Sequence, residues 1–215
     1  MDIHKISTAS FDVDAQYTFT PACPNELPVA GGLDIVEELN AQAELAAYRI
    51  GSKDAHCTTA PWVTTDVTKI AQPIPGMIEH PDYDLYWPAH GVPGTPGFEL
   101  IGGLPNPEHY DYFVWKGVEP RLHPYGACFH DISEHLSTGV IEFLNCKGII
   151  TVLVGGLALD YCVCHTALQL KKAGFRVIVN RAACRSVAKE SEEKALDQMY
   201  KADVIFVNNA SGIAP

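Results

Sequence analysis

The sequence predicts an α/β fold, a three-layer sandwich with a central, mostly parallel sheet. Two observations carry that expectation. Short apolar runs alternate with amphipathic stretches of helical length near the N-terminus and again through the C-terminal half. Strands alternating with such helices imply right-handed βαβ crossovers and a parallel sheet covered on both faces. The chain also has 215 residues, 47% hydrophobic and 19% charged. That suits one compact core burying roughly 70% of the surface an unfolded chain exposes. A single domain over 1–215 is expected, with a proline-rich loop insertion at about 58–107.

The first apolar run, 6–13, reads as a strand, and a turn-rich segment with Pro21, Pro24 and Pro28 follows it. Across 32–48, Leu33, Ile35, Val36, Leu39, Ala43 and Ala47 recur at three- and four-residue steps, the spacing of one helix face. Residues 49–53 form a short candidate strand. The 58–107 stretch holds nine of the fifteen prolines and shows no helical period. Loops of that length are uncommon in compact domains unless they serve a site, so it is read as an elaborated loop system over the sheet, where sites usually sit. Residues 110–115 (YDYFVW) stop at Lys116-Gly117 and read as a central strand, and 137–146 as a helix. IITVLV at 149–154 is a buried strand by its β-branched content, and 161–173 is a helix stopped by Gly174. A strand at 175–179, a helix at 189–202 and a strand at 204–207 complete the alternation.

Charge and cysteine usage narrow the function classes. Lys and Arg number 15 against 26 Asp and Glu, for a formal net charge of −11 with no basic cluster. A nucleic-acid partner needs a basic face to neutralise phosphates, so that class is set aside. The seven cysteines, at 23, 57, 128, 146, 162, 164 and 184, are irregularly spaced and include no CxxC pair. This argues against a disulfide framework, a zinc ribbon and a thioredoxin-like motif. Met1-Asp2-Ile3-His4-Lys5 lacks the apolar core of a signal peptide. The longest nearly uncharged apolar run, 148–159, is about half the ~20 residues that cross a bilayer. A reduced, cytoplasmic protein with no membrane partner is expected, and the sequence leaves homo-oligomerisation open.

In open parallel sheets, ligands bind beyond the carboxyl ends of the strands. Those ends carry Asp12-Val13-Asp14, Lys53-Asp54-Ala55-His56, Trp115-Lys116-Gly117 and Gly155-Gly156, the last leading to Cys162 at a helix start. A cysteine in a reduced protein is ordinarily a small buried hydrophobe, and a Lys or Asp after a strand is ordinarily solvated or a cap. Position distinguishes Cys162: the N–H groups and dipole of a helix start lower a thiol pKa from about 8.5 toward 3.5–7.5. A Lys116 ammonium would stabilise the thiolate, and the Asp14 carboxylate could accept the thiol proton and pass it to a leaving amine. Asp54-x-His56 on an extended segment, completed by the distant His90, offers three ligands with open positions, the pattern of a catalytic metal. The remaining histidines (4, 80, 109, 123, 130, 135 and 165) show no comparable grouping and are read as surface or core residues. Cys57 and Cys164 are read as structural.

Val13-Asp14-Ala15-Gln16-Tyr17-Thr18-Phe19 resembles the VDxQNDF segment of nicotinamidases, within the isochorismatase-like cysteine hydrolases. Lys53-Asp54-Ala55-His56 resembles their metal-binding D-x-H segment, Trp87-Pro88-Ala89-His90 their WPxH motif, and Trp115-Lys116-Gly117 their catalytic lysine turn. Gly156-Leu157-Ala158-Leu159-Asp160-Tyr161-Cys162-Val163 is similar to GLATDYCV, and the segments stand in family order across about 13–163. The resemblance implies the isochorismatase-like hydrolase fold and a triad of Asp14, Lys116 and Cys162. It implies metal ligands Asp54, His56 and His90, and a cis Leu157–Ala158 peptide beside an oxyanion hole made by the Ala158 and Cys162 N–H groups. Phe19 and Trp87 match the aromatic pair that sandwiches a pyridine ring, with Tyr125 and Leu157 in the same substrate pocket.

The implied activity is metal-dependent hydrolysis of nicotinamide, the small-molecule substrate, to nicotinate and ammonia through a thioester. The implied cofactor is one divalent ion, Zn²⁺ ahead of Fe²⁺ or Mn²⁺, since Asp/His₂ suits all three. The alternative is another small amide or a carbamoyl compound, whose hydrolases in the superfamily generally lack the metal set. Tyr17-Thr18 in place of Asn-Asp, Gly91 after the WPxH histidine, Leu159 in place of Thr, and 118–126 without the usual Tyr-Ser pair bear on substrate preference. A nucleotide-binding module, suggested by Gly155-Gly156, is disfavoured because the GxGxxG spacing is absent.

Overall fold

The computed structural model describes residues 1–76 and 82–214. At its centre is a six-stranded sheet in the order β3-β2-β1-β4-β5-β6, with every neighbouring pair parallel. The strands are β1 (Thr8–Val13), β2 (Tyr48–Asp54), β3 (Tyr112–Lys116), β4 (Thr151–Leu157), β5 (Arg176–Arg185) and β6 (Ile205–Val207). The helices are α1 (Val36–Glu44), α2 (Val140–Cys146), α3 (Cys164–Lys172) and α4 (Lys189–Lys201). Every residue of β1 and β4 is buried, as expected of central parallel strands covered on both faces. On one face, Phe11, Val152 and Val177 pack with Leu144 of α2, Leu170 of α3 and Met199 of α4. On the other face, Leu39 of α1 packs with Ile35, Leu157 and Ala183.

Boundaries move where the sheet claims backbone groups. The 32–48 helix is shorter than its apolar period: a 3-10 turn over Gly32–Ile35 precedes α1, and Tyr48 already begins β2. The Ala47 N–H donates to the Thr8 carbonyl (2.9 Å), so pairing beside β1 draws the chain out of helical geometry. Ile6 lies in a 3-10 turn before β1 and is exposed. The segment read as a central strand is instead the sheet edge, β3, with Trp115 47% exposed. Its aromatic residues cover flanks rather than a buried interior: Tyr112 stacks on Phe143 of α2 (4.8 Å) and Trp115 meets Phe98 edge-on (4.9 Å). The helix expected at 161–173 begins as a π-type turn over Leu159–Val163 before α3.

Within 58–107, the described residues form short 3-10 turns and loops, pinned by isolated bridges such as Val63 with Trp87 and Pro73 with Leu85. They pack in a small cluster that includes Trp62, Ile74 and Trp87 and is joined by Tyr125 from beyond β3. His80 lies outside the described residues. No helix among the described residues is long and apolar enough to cross a membrane, and the seven cysteines are free thiols. The connection from β1 runs to β2 on one side, whereas β4 runs on to β5 on the other. The β1/β4 boundary is therefore a topological switch point, where a crevice opens at the strands' carboxyl ends.

Candidate active site

The sheet places the predicted residues before any loop does. Asp54 and Lys116 are register partners on β2 and β3, so their side chains leave the same face at the same height. Lys116 Nζ contacts Asp54 Oδ1, and it lies 3.0 Å from Asp14 Oδ2 and 3.7 Å from Cys162 Sγ. Asp14 follows β1 with a left-handed backbone, φ 44°, a conformation that costs a non-glycine residue about 1–3 kcal/mol. Ser52 holds it there: its hydroxyl donates to Asp14 Oδ1 (2.6 Å) and accepts from the Asp14 N–H (3.2 Å). Cys162 enters from the π-type turn after β4, an irregularity often found at functional sites. A Cβ on Gly156 would lie 1.9 Å from the Val13 carbonyl. Only glycine lets β4 approach β1 so closely and bring Cys162 toward Asp14.

Burial dominates the electrostatics of this cluster. It pushes the Cys162 thiol well above its ordinary pKa; Lys116 opposes the rise, and Asp14 and Asp54 add to it. The expectation that a helix start would lower this thiol is therefore corrected, because two carboxylates face a desolvated sulfur. Burial also raises Asp14, with Lys116 pulling back and Asp54 adding to the rise. Burial works against the charge on Asp54, but Lys116 and His56 outweigh it and hold that carboxyl well below the usual range. Burial likewise works against the Lys116 ammonium, which Asp14 and Asp54 nonetheless hold well above its ordinary range. Of two carboxylates on one lysine, Asp54 keeps its charge and Asp14 is the one suited to carry a proton. Divergent carboxylates of this kind mark acid–base assignments.

Beside this cluster stands an imidazole group. His56 Nδ1 faces the Gly117 carbonyl at 3.3 Å and His90 Nδ1 the Pro88 carbonyl at 2.8 Å. Each contact fixes a ring and leaves Nε2 toward Asp54, at 3.2 Å for His56 and 3.8 Å for His90. Gln16 clamps the Asp54 backbone in turn, donating to its carbonyl (3.0 Å) and accepting from its N–H (2.7 Å). The structure thus brings Asp54, His56 and His90 together as expected. It also corrects the reading of His123 as a residue without grouping: His56, His90 and His123 offer ring nitrogens all within 4.8 Å of one another. Burial and the neighbouring His56 and His90 hold His123 well below its ordinary pKa, and burial with His56 pushes His90 down to about 3. The donor set fits a divalent ion, because buried His56 Nε2 and both ring nitrogens of His123 lack a hydrogen bond.

Gly117, φ 77°, offers a prediction. A Cβ there would fall 2.2 Å from His56 Cε1. Gly117→Ala must displace the ring, and we expect metal affinity to fall by at least about tenfold, read by chelator competition. Affinity equal to wild type would show that His56 does not hold the ion.

Cys162 opens into a cavity of about 370 Å³, mouth included, walled by Phe19, Trp87, Tyr125 and Tyr161 with His90 and Ala158 on its sides, while Asp14 and Lys116 lie fully buried behind it. Tyr125 Oη accepts from Trp87 Nε1 (3.2 Å) and donates to Asp84 Oδ1 (2.7 Å), which fixes both rings. Leu157 is absent from that wall; its side chain is fully buried with Ile35 and Leu39. The Leu157–Ala158 peptide is cis, as the resemblance implies. Residues that sequence reasoning missed are Ser52, Tyr161 and His123. Ser52 and His123 are joined to the site only through neighbouring strands and a loop, whereas Tyr161 stood next to Cys162 and could have been named.

The isochorismatase domain family matches residues 63–210. The nicotinamidase of Acinetobacter baylyi is 31% identical over 176 residues, covering 81% of this chain and 79% of that protein. The structure of an Acinetobacter baumanii nicotinamidase/pyrazinamidase superposes with a TM-score of 0.82 at 27% identity, covering 96% of this chain and 97% of that one. A Pyrococcus horikoshii pyrazinamidase, solved in complex with zinc, gives 0.68 at 26% identity, covering 94% and 98%. Because the family match takes in His90, Lys116 and Cys162 together with β3 to β6 behind them, the chain belongs to the isochorismatase family, among its nicotinamidase-type amide hydrolases.

Proposed function

We propose that the chain hydrolyses nicotinamide to nicotinate and ammonia through a thioester on Cys162. The observation that carries this reading is Lys116 Nζ set between the Asp14 carboxylate and the Cys162 sulfur, the sulfur's residue lining an aromatic-walled cavity. The raised thiol keeps its proton at rest, and Asp14 takes it as the sulfur attacks the carboxamide carbon. Lys116 holds the charge of both partners through the transfer. The backbone N–H groups of Ala158 and Cys162 are the donors assigned to the developing oxyanion, each worth about 2.7–4 kcal/mol. Asp14 then gives its proton to the departing ammonia, and later serves as base for the water that opens the thioester. Phe19 and Trp87 hold the ring from the cavity walls.

Asp54, His56 and His90 would hold a divalent ion, which supplies a Lewis-acidic anchor for the ring nitrogen. Zinc is the ion we assign, supported by the donor chemistry and by the zinc complex of the Pyrococcus horikoshii pyrazinamidase. The test is ammonia release from nicotinamide beside a panel of small amides and carbamoyl compounds, on protein of measured metal content. Preference for a carbamoyl compound over nicotinamide would overturn the substrate reading.

Lys116→Ala isolates the electrostatic part of the mechanism. Removing the cation raises the Cys162 thiol further, and each pKa unit is a tenfold loss of thiolate. Iodoacetamide alkylation of Cys162 at pH 7 should slow by at least about tenfold. An unchanged rate would remove Lys116 from the triad.

A further inference from the structure

We propose that His123 is a fourth protein donor to the metal site, so that the ion is held by Asp54 and three histidines rather than by Asp54, His56 and His90 alone. The proposal rests on the reading of those three residues as a metal site and adds a ligand from a separate loop. His123 is only 3% exposed, and neither of its ring nitrogens has a hydrogen-bond partner. A buried imidazole normally donates from one nitrogen and accepts at the other, so two orphaned nitrogens need an occupant. The neighbouring histidines behave differently: His56 and His90 each set Nδ1 against a backbone carbonyl. His123 has no such anchor, yet its ring lies stacked on His56 with centroids 5.1 Å apart. Its ring packs edge-to-face with Trp62 at 4.3 Å and with Tyr125 at 4.9 Å. Apolar walls on those sides leave the imidazole cluster as the polar direction open to it.

The backbone supports the same assignment. The His123 N–H donates to the Asp82 carbonyl at 2.7 Å, which ties this loop to the segment beyond the sheet. The next residue, Pro124, accepts from Lys116 Nζ through its carbonyl (3.3 Å). One loop thus joins the lysine of the reaction to the imidazole cluster. An Asp/His₃ set favours ions that take imidazole well, Zn²⁺, Fe²⁺ or Co²⁺, over Mn²⁺. With four protein donors, room for a substrate atom requires the ion to take a fifth or sixth ligand.

The experiment measures Zn²⁺ affinity by chelator competition for the full-length wild type, His123→Phe, His123→Ala, His56→Ala and His90→Ala. His123→Phe keeps a ring against Trp62 and His56 while removing both nitrogens. Zn²⁺ binding should weaken by at least about tenfold in both His123 variants. X-ray absorption of the Zn²⁺-loaded wild type should carry the scattering of three imidazoles, and that of His123→Phe two. Wild-type affinity in His123→Phe, or two imidazoles in the wild type, would overturn the proposal, even if the KM for nicotinamide rises. Loss of Zn²⁺ in His56→Ala and His90→Ala with His123→Phe unaffected would sink this proposal and leave the metal reading standing. A wild type that binds no Zn²⁺ would end both.

Discussion

Cys162→Ala is expected to fold and to release ammonia from nicotinamide at least about a thousandfold more slowly than wild type, because no thioester can form. The substitution removes one sulfur from the cavity wall and leaves Asp14, Lys116, Asp54, His56 and His90 in place. Cys164→Ala should be far milder: that sulfur faces the Ala195 carbonyl at 3.8 Å, inside the packing of α3 on α4. Cys146 is exposed at the end of α2 and should be milder still. Ammonia release above a hundredth of wild type in Cys162→Ala would move the nucleophile elsewhere.

His56→Ala and His90→Ala should separate the metal from the triad. The two residues lie 34 positions apart, and only the fold sets their rings 4.7 Å from one another. Each variant should bind little metal and lose nicotinamide turnover by about a hundredfold or more, since misplacing a reacting group by about 1 Å costs that much. Cys162 should still alkylate, because Lys116 remains 3.7 Å from its sulfur. Metal content, ammonia release and alkylation measured on one preparation decide it. Metal lost with turnover intact would make the ion structural, and full occupancy in His90→Ala would remove that residue from the site.

The β-branched run of β4 is legible because a parallel central strand is buried on both faces, whereas β1 buries Thr8, Ser10 and Asp12 as well and shows only as a short apolar run. Strand β3 was misread for the same reason: its aromatic run looks central, yet Tyr112 and Trp115 spend that surface on α2 and on Phe98 at an edge. The site was legible wherever it lies at a strand end. Asp14, Asp54, Lys116 and Cys162 all follow from the rule that ligands collect at carboxyl ends, and the Asp54–Lys116 register then sets their contact. His123 was not legible, since its loop carries no period and its distance from His56 in sequence encodes nothing. The thiol's electrostatics were also out of reach. A helix start can be read from a sequence, but the sulfur and the two buried carboxylates that face it gather from the ends of three separate strands.

The most direct test of the central claim is mass spectrometry of the metal-loaded wild type, acid-quenched during turnover of nicotinamide. The expected result is a nicotinoyl group on the peptide that contains Cys162, which disappears as nicotinate accumulates. A nicotinoyl group on any other cysteine, or nicotinamide consumed with none on Cys162, would contradict it.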